Sequence, residues 1–598
     1  KYTDGEQAVI PVLPSSQPVV ETLPFYLSSD TTEFSMKLPQ YPTDSRITLQ
    51  FCDNPTWYVV TALPGISKAK ANTAPEAAAS IFSAAVAEGI LNSSPQVKKV
   101  LKEWVESDQS DSTLVSMLEK NGDLKTFLLQ ATPFMMDARS DTERMQRLAL
   151  LFDSKNIKAV YDTNIALLSR LQRSNGGFAW LNQYQEASEW ATYSTLTILG
   201  RLNELGFMPG NNKLTSMVNK ALGYYQNEIT KDYRKYPDSD YTDYVMLLDY
   251  WPSFKPSLTS VNIVNKTVQK KLAGWKKESV AGKVTSALIL ARHGYKRISF
   301  NILESLRQFA KSSSTQGMYW PSLGDAYSGT MSELMITSRA LKAYSLIEPD
   351  SKDIDAIRQW LILQKEARDW GNGIAASEVA AAVLLTSPKW LEPAGHAEVT
   401  IGNKQIAVTP AEKNLGYFRT NISDMSPSGK ELTIKKNDKT PAWGALYSQS
   451  TQIMTDIKPA SIEALSIEKR LYRQDGDKWV VADHITVGDK VKIELVIHAN
   501  RAMDYVAIDD QRAACLEPVE QTPTPIWSEG LCFYRENNDE ATNIFINRLP
   551  KGTYLLTYEM WVNNAGAFSS GIATIQSQYA PQLTAHSAGT QLTASPAR

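Results

Sequence analysis

The sequence predicts a multidomain α plus β protein in which a helical block separates two regions of strand-like sequence. With 598 residues the chain is too long for one hydrophobic core, and about 150 residues per domain suggests three or four domains. Apolar and polar residues alternate up to about residue 55 and again beyond residue 395, as they do in half-buried strands. Between about residues 73 and 391 the apolar residues recur with the spacing of amphipathic helices.

The first region contains four short segments that we predict to be strands. Proline, serine and aspartate residues separate these segments, and such residues commonly form the turns between strands. The predicted strands cover residues 8–13, 19–27, 34–38 and 47–51. We therefore expect this region to contribute to a β-domain.

The helical block consists of alanine- and leucine-rich segments of roughly 10 to 20 residues, joined by short polar loops. Ser188 is suited to begin one of these helices and Gly206 to end it, because serine caps the first turn and glycine accepts the left-handed conformation after the last. Apolar or aromatic residues recur at every third position between them, at Trp190, Tyr193, Leu196, Leu199 and Leu202. This stripe predicts that one face of the helix is buried.

A loose repeat runs through the helical block. A helix end containing glutamine is followed by a polar turn with a large aromatic residue in residues 171–180, 307–320 and 363–370. Repeated helical hairpins cannot bury their apolar faces alone, so they stack on one another. We therefore predict an α/α toroid, in which two concentric rings of helices close on themselves. An irregular helical bundle is the alternative.

The last region returns to alternation. The pattern is clearest in residues 491–497, where the apolar positions are Val491, Ile493, Leu495 and Ile497. It predicts a strand with one buried face, and the region as a whole is typical of an antiparallel β-sandwich.

The composition excludes several classes of function. The 62 basic and 64 acidic residues are interspersed and give a net charge of −2, which does not fit a nucleic-acid groove or a polybasic membrane patch. No apolar run approaches the roughly 18 residues of a membrane helix, so we expect no membrane-spanning segment. The five histidines and three cysteines lack metal-ligand spacing, and we expect neither a metal nor a cofactor.

Several short segments, taken together, resemble one protein family. They are ETLP at residues 21–24, NPTWYVVTALP at 54–64, DYV at 504–506, LPKGTY at 549–554 and YAP at 579–581. In this order they resemble the carboxyl-terminal part of bacterial α2-macroglobulin-family proteins, over essentially the whole chain. The chain begins at Lys1 without methionine or signal peptide, so we expect it to be a fragment of a longer protein, with a mature, processed protein as the alternative.

The resemblance implies a particular domain order. Residues 1–55 and 395–458 would form the two halves of a CUB-like β-domain. Residues 56–394 would be an α/α toroid of the thioester-domain type, inserted between those halves. Residues 459–598 would be a macroglobulin-like, receptor-binding-like β-sandwich.

The reactive thioester of the family is missing from this sequence. Family members carry Cys-x-Glu-Gln at the start of a toroid helix, followed by x-Phe-Ser, and the thioester joins the cysteine sulfur to the glutamine carbonyl. The pair Phe82-Ser83 sets the register here and places Ala77, Ala79 and Ser80 at the cysteine, glutamate and glutamine positions. Neither half of the bond can form from alanine and serine. The resemblance thus implies a thioester-type domain whose thioester site is degenerate.

The same segment has a simpler interpretation from its residues alone. Thr73 stands three positions before Glu76, which is the spacing of a capping box at the start of a helix. Methyl side chains supply neither a nucleophile nor an acid. The segment is therefore expected to start a helix and to hold no active site.

The function that the resemblance implies is protease trapping. In the family, cleavage of a bait segment makes the molecule collapse around the protease, and the thioester then captures it. We expect this chain to be part of an endopeptidase inhibitor without covalent capture, and not an enzyme. Proteases would be partners of the full-length protein, which would reside in the periplasm or cell envelope on a lipid anchor at a missing amino-terminal region. A non-inhibitory module that binds an envelope protein is the alternative, and a toroid enzyme acting on glycans is a third.

Two cysteines near the end of the chain are candidates for a disulfide. Cys515 and Cys532 flank a short loop, and an exported protein could oxidise them. Such a bridge would contribute about 3 kcal/mol on the chain-entropy estimate. Two buried free thiols are the alternative, because spacing alone does not fix the distance between their Cα atoms.

The enzyme alternative needs acidic side chains, and two pairs are available. Glu186 with Glu189, or Asp238 with Asp240, could serve a glycosidase or lyase, although solvated loop carboxylates are the competing interpretation. His293 is the histidine of the helical block. In the family such a histidine can tune the thioester, but here it has nothing to activate, and we expect a structural role.

Overall fold

The protein is described by a computed structural model. It covers residues 16–54, 56–67, 70–93, 151–182, 184–313, 316–322, 332–367, 370, 373–387, 397–407, 416–422, 427–437, 440–482, 484–522, 524–538, 540–578, 580 and 582–597. Elements are numbered in chain order through these residues. The predicted strand at residues 8–13 lies outside them.

The first region forms three strands, close to the three remaining predicted positions. They are β1 (Ser16–Leu27), β2 (Glu33–Lys37) and β3 (Arg46–Cys52).

The helical block follows directly, and a short hairpin of two strands interrupts it. Its helices are α1 (Thr56–Ile66), α2 (Ala74–Ser93), α3 (Ser154–Leu171), α4 (Glu189–Leu205), α5 (Asn212–Lys235), α6 (Thr242–Asp249), α7 (Leu258–Gly274), α8 (Val280–Arg292), α9 (Lys296–Arg307), α10 (Glu333–Ile347), α11 (Asp353–Ala367) and α12 (Gly373–Leu385). The hairpin consists of β4 (Lys311–Ser313) and β5 (Gly317–Tyr319).

Strands resume after the helical block. They are β6 (Glu398–Ile401), β7 (Lys404–Gln405), β8 (Tyr417–Asn421), β9 (Glu431–Lys435) and β10 (Ala442–Ile453). The chain then enters a final series: β11 (Leu465–Asp475), β12 (Lys478–Val481), β13 (Ile485–Thr486), β14 (Lys490–Ala499), β15 (Met503–Gln511), β16 (Leu516–Pro518), β17 (Thr524–Ser528), β18 (Leu531–Asn537), β19 (Ala541–Leu549), β20 (Gly552–Val562), β21 (Gly566–Ser569), β22 (Ala573–Ser577), β23 (Thr584–His586) and β24 (Gln591–Ser595).

Strands from before and after the helical block pair with one another. One sheet has the order β1-β10-β3-β8 and a second has the order β2-β9-β6-β7, so both sheets contain strands from both regions. Apolar residues from the two regions share one core, among them Leu27, Leu49, Phe51, Ile401 and Leu432. The chain thus leaves this β-sandwich after β3 and returns to it at β6. The CUB-like assignment and the domain boundaries near residues 55, 394 and 458 stay predictions.

Helix α4 begins and ends where the sequence predicts. The Ser188 hydroxyl accepts a hydrogen bond from the backbone N–H of Ala191 at 3.2 Å, and Gly206 ends the helix with a φ of 74°. The predicted stripe is buried at its carboxyl-terminal end, at Leu196, Leu199 and Leu202. Its first member was predicted wrongly, because Trp190 is 49% exposed.

The aromatic residues of the helical repeat differ in burial. Trp320 and Trp370 are buried, and each indole N–H donates a hydrogen bond to a backbone carbonyl nearby, at 2.8 and 3.1 Å. In the first repeat Phe178 is buried instead, and Trp180 lies at the surface. The helices share one hydrophobic core. Their closure into two concentric rings stays a prediction.

Helix α2 runs through this core. By length and composition alone, Ala74–Asn92 could cross a membrane, so the expectation that the sequence holds no such stretch was wrong. This is weak evidence for a membrane segment, because 83% of the apolar window is buried inside the protein. Burial of this kind is what a core helix requires.

The final strands build a second sandwich from sheets of order β12-β11-β14-β20-β16 and β17-β18-β19-β15-β22-β23. Strand β14 shows the predicted alternation, because its buried residues are Val491, Ile493, Leu495 and Ile497. These side chains belong to a core that includes residues of both sheets. The coarse prediction of a mixed helix and sheet protein is confirmed by these elements.

Candidate functional site

The predicted thioester position lies at the beginning of α2, which a capping box holds in place. The Thr73 hydroxyl accepts a hydrogen bond from the Glu76 N–H at 3.2 Å, and the Glu76 carboxylate accepts from the Thr73 N–H at 3.2 Å. The same carboxylate accepts from the Asn72 N–H at 2.9 Å. These bonds satisfy backbone donors that a helix start otherwise leaves without partners.

The three residues at this position are packed inside the protein. Ala77, Ala79 and Ser80 are 0%, 3% and 1% exposed. The Ser80 hydroxyl donates a hydrogen bond to the carbonyl oxygen of Glu76 at 3.1 Å. Ala79 packs so closely on Gly373 at the start of α12 that a Cβ added there would lie 2.8 Å from the alanine methyl. These side chains therefore offer no electrophile, and their one hydroxyl, that of Ser80, is buried and hydrogen-bonded. The packing leaves little room for larger side chains.

A buried ion pair joins two helices in the same domain. Glu378 of α12 and Arg201 of α4 form a salt bridge with side-chain exposures of 0% and 1%. Arg201 also donates hydrogen bonds to the Ile374 carbonyl and the Ser377 hydroxyl, both at 2.6 Å. The ammonium group of Lys342 lies 3.7 Å from the Glu378 carboxylate. Charges buried in this way are tolerated when they are paired and hydrogen-bonded.

The ion pair is the inner end of a longer network. Lys342 lies 2.6 Å from the carboxylate of Glu204, which also pairs with Arg292. Arg292 and His293 at the end of α8 both approach Asp249, at 3.6 and 3.4 Å. His293 therefore lies at the end of a helix beside the Asp249 carboxylate, a position that fits a structural role.

The neighbouring cations keep the Glu378 carboxylate charged. Burial by itself would raise the pKa of the Glu378 carboxyl, but Arg201, Lys342 and Arg339 outweigh burial and hold that pKa at about 2. A carboxyl group with such a pKa is ionised at neutral pH and cannot act as a general acid there. The network therefore has a structural role, because it links α4, α10 and α12 through ion pairs.

The carboxylates considered for an enzyme lie elsewhere. Glu186 and Glu189 are exposed, as are Asp238 and Asp240. The Asp238 carboxylate accepts a hydrogen bond from Lys266 at 3.0 Å, and this bond lowers its pKa. These positions agree with solvated loop carboxylates. Among the residues that the structure describes, no group of three potential ligands could hold a metal ion.

The two cysteines of the last domain are both free thiols in the structure. Cys515 is buried, and burial raises the pKa of its thiol to about 11. Cys532 is exposed on β18, where it faces Trp527 of β17. The alternative of free thiols is therefore the one that the structure has, although only one of them is buried.

A cavity of about 520 Å³ lies where the two sandwiches and the helical block meet. Its walls include Phe25 of the first sandwich, Leu363 of α11 and Ile462 before β11. The first and second sandwiches are linked beside it by a hydrogen bond of 2.8 Å from the Thr22 hydroxyl to the Gln582 carbonyl. The cavity and the ion network were both missed by sequence reasoning. For the network, one signal was available, namely the single acidic residue in the apolar sequence of α12.

Comparisons with known proteins give one match to a family model. Residues 465–582 match the model of the bacterial alpha-2-macroglobulin MG10 domain. This stretch is most of the second sandwich, from β11 almost to β23. No curated protein matches the chain.

Solved structures of bacterial alpha-2-macroglobulins are also similar to this chain. Trypsin-activated alpha-2-macroglobulin from Escherichia coli is 14% identical, with a TM-score of 0.41, and the match covers 98% of this chain and 36% of that one. The Salmonella protein reacted with methylamine is 15% identical, with a TM-score of 0.36 and coverage of 97% and 34%. The native E. coli protein from domain MG7 to the carboxyl terminus is 15% identical, with a TM-score of 0.36 and coverage of 98% and 83%. This chain thus spans about a third of the length of the first two proteins.

The fold and the family model together define the class of protein. Mixed helices and sheets end in a β-sandwich, and that sandwich matches an MG10 domain. The chain contains an MG10 domain of the bacterial alpha-2-macroglobulin type, in agreement with the family that the sequence markers indicated. Because the structural matches have TM-scores below 0.5, this assignment rests on the MG10 match.

Proposed function

We propose that this chain is the carboxyl-terminal part of a protease trap that works without covalent capture, and is not an enzyme. The observation that carries the proposal is the combination of an MG10 domain with a helix start at which Ala77, Ala79 and Ser80 are buried. Family members act as protease inhibitors, so proteases are the proposed partners. Inhibition would be steric, because nothing at the helix start can form a bond to a protease amine.

The helix start gives the first test. Methylamine adds to an intact thioester, which raises the mass of the protein by one amine and releases a thiol. We expect the intact mass of this chain to be unchanged after treatment. The Salmonella alpha-2-macroglobulin, whose structure was solved after reaction with methylamine, is the positive control. An adduct on the peptide containing residues 77–80 would show that the chain carries reactive chemistry there.

The trapping activity needs a second test on the natural protein that contains this chain. A steric trap blocks the access of large substrates to the protease but leaves small peptide substrates accessible. We expect the natural protein to protect a protein substrate from trypsin-like, elastase-like and metalloproteases, with no protein–protease adduct on a denaturing gel. The 598-residue chain in molar excess should give no protection. Failure of the natural protein to protect, or inhibition by this chain alone, contradicts the proposal.

The proposal includes a location in the periplasm or cell envelope, on a lipid anchor outside this chain. It is supported by the family resemblance. Fractionation of the source cells tests it, because the protein should appear in the envelope fraction and should be released by detergent. A cytosolic protein would contradict this part of the proposal.

A further inference from the structure

An exposed cluster of apolar side chains spans the loop before α4 and the first turn of that helix. Trp180, Leu181, Tyr184 and Trp190 are 36%, 49%, 88% and 49% exposed, and we call these four residues the aromatic patch. The rings of Trp180 and Trp190 contact each other with centroids 4.3 Å apart. Other large apolar side chains that are exposed in the described part of the chain are mostly scattered singly. A cluster of this kind is typical of an interaction site.

The aromatic patch is held in position by the backbone on both sides. The Ala179 N–H donates a hydrogen bond to the Leu171 carbonyl at 2.9 Å, and the Ser188 N–H donates to the Phe178 carbonyl at 2.8 Å. Ser188 also caps α4, and Trp190 lies in the first turn of that helix. Trp180 therefore lies in an anchored loop and Trp190 on a capped helix, which lowers the entropic cost of binding a partner.

Acidic residues lie beside the aromatic patch. Glu186 and Glu189 belong to the same segment, and Glu228 and Asp232 on α5 act on Glu189. Burial raises the pKa of Glu189, the like charges of Asp232 and Glu228 raise it further, and Lys231 opposes them. Lys231 is itself paired with Glu228 at 2.6 Å. Glu189 thus lies where two acidic neighbours act against one basic neighbour.

The position and the pKa of Tyr224 agree with negative charge near the aromatic patch. Tyr224 of α5 donates a hydrogen bond to the Ala187 carbonyl at 3.3 Å, which places α5 against the patch segment. Burial raises the pKa of Tyr224 to about 12, with Glu228, Glu189 and Glu186 contributing in the same direction. The negative field therefore extends across the contact between α5 and the segment that carries the tryptophans.

We propose that the aromatic patch is a docking site for a lysine- or arginine-rich segment of a partner polypeptide. Cations bind to the faces of tryptophan rings, and nearby carboxylates complement the same positive charge. A neutral glycan would use the rings but would leave the surrounding negative charge unmatched. The proposal is independent of protease trapping, since it concerns a surface and not the bait or thioester.

A labelled basic peptide without aromatic residues tests the proposal by fluorescence anisotropy on the full chain. We expect binding at low salt that weakens as salt is added. The W180A/W190A variant should weaken binding by at least about fivefold, because two exposed cation–π contacts are lost. The E186Q/E189Q variant should weaken it and reduce its dependence on salt. W527A is the matched control. Trp527 is 79% exposed on β17 of the second sandwich, outside the helical block, and its replacement should have no effect.

The outcomes separate clearly. Circular dichroism confirms that each variant is folded, and E186Q/E189Q gives a test that leaves both rings in place. Loss of binding in the two patch variants but not in W527A supports the proposal. It is overturned if the peptide does not bind, if W527A weakens binding equally, or if an uncharged oligosaccharide binds through Trp180 and Trp190 while the peptide does not.

Discussion

Replacement of Glu378 by glutamine should destabilise the helical block strongly. The carboxyl has an ordinary pKa of 4.5 and a pKa of about 2 in the folded protein. That difference corresponds to about 3 kcal/mol at neutral pH, at 1.36 kcal/mol per pKa unit. Loss of one partner from a buried ion pair costs about 3–5 kcal/mol by comparison with other proteins. The two figures are of similar size. The physical reason for the loss is that Glu378→Gln leaves the buried cations of Arg201 and Lys342 without this carboxylate.

Urea unfolding followed by the helical circular dichroism signal measures this loss. The protein has several domains, so the transition of the helical block is compared between variants and is not treated as a global two-state event. Glu228→Gln is the matched control, because Glu228 pairs with Lys231, whose side chain is 67% exposed. Exposed pairs of this kind contribute about 0.5 kcal/mol. The double replacement R201M/E378M should recover part of the loss, since it removes both charges of the pair.

The same group gives a dependence on pH with a definite sign. A carboxyl whose pKa is depressed on folding stabilises the protein above its unfolded pKa. This contribution is therefore present above pH 4.5 and is lost as the pH falls toward about 2. In Glu378→Gln that part of the acid profile should disappear. A loss of less than about 1 kcal/mol at neutral pH, or an unchanged acid profile, would refute the assignment of Glu378 as the centre of the network.

Three further predictions follow from single contacts. Thr73→Ala should lower the free energy of unfolding of the helical block by about 1 kcal/mol, because the capping bond at α2 is lost. Thr215→Ala, on the exposed side of α5, should lower it less, and equal effects would contradict the capping role. The pKa of Asp509 is raised from 3.8 to about 6, mainly by burial, so the wild type should lose stability as the pH rises from about 4 through 6. Asp509→Asn should recover up to about 3 kcal/mol at higher pH. A flat wild-type profile would contradict this. In the native protein a thiol reagent should modify Cys532 rapidly and Cys515 slowly, as mass spectrometry of the peptides will show; the reverse order would contradict their assigned burial.

Local features of this protein could be predicted from the sequence because their causes lie within a few residues. The capping box of Thr73 and Glu76 is one such feature, and the cap at Ser188 with the end at Gly206 is another. The alternation along β14 is a third, since successive side chains of a strand point to opposite faces. The order of strand, helix and strand regions follows from the same local periodicities. The family itself was also predicted, from short segments in a fixed order.

Other features depended on residues far apart in the chain. Arg201 and Glu378 are 177 positions apart, so no spacing pattern could show that they form a buried pair. Strand β1 pairs with β10 across the whole helical block, with Val19 opposite Ser450. Pairing of this kind follows from how the two regions pack and not from either segment alone.

The aromatic residues show the same limit at closer range. Trp180, Trp320 and Trp370 occupy similar places in the helical repeat, yet the first is exposed and the other two are buried. In the first repeat Phe178 takes the buried place. The sequence by itself determined where helices and strands begin, how they alternate and which family they indicate. Only the tertiary structure decided which side chains are covered, because burial depends on the neighbouring elements that close over each position.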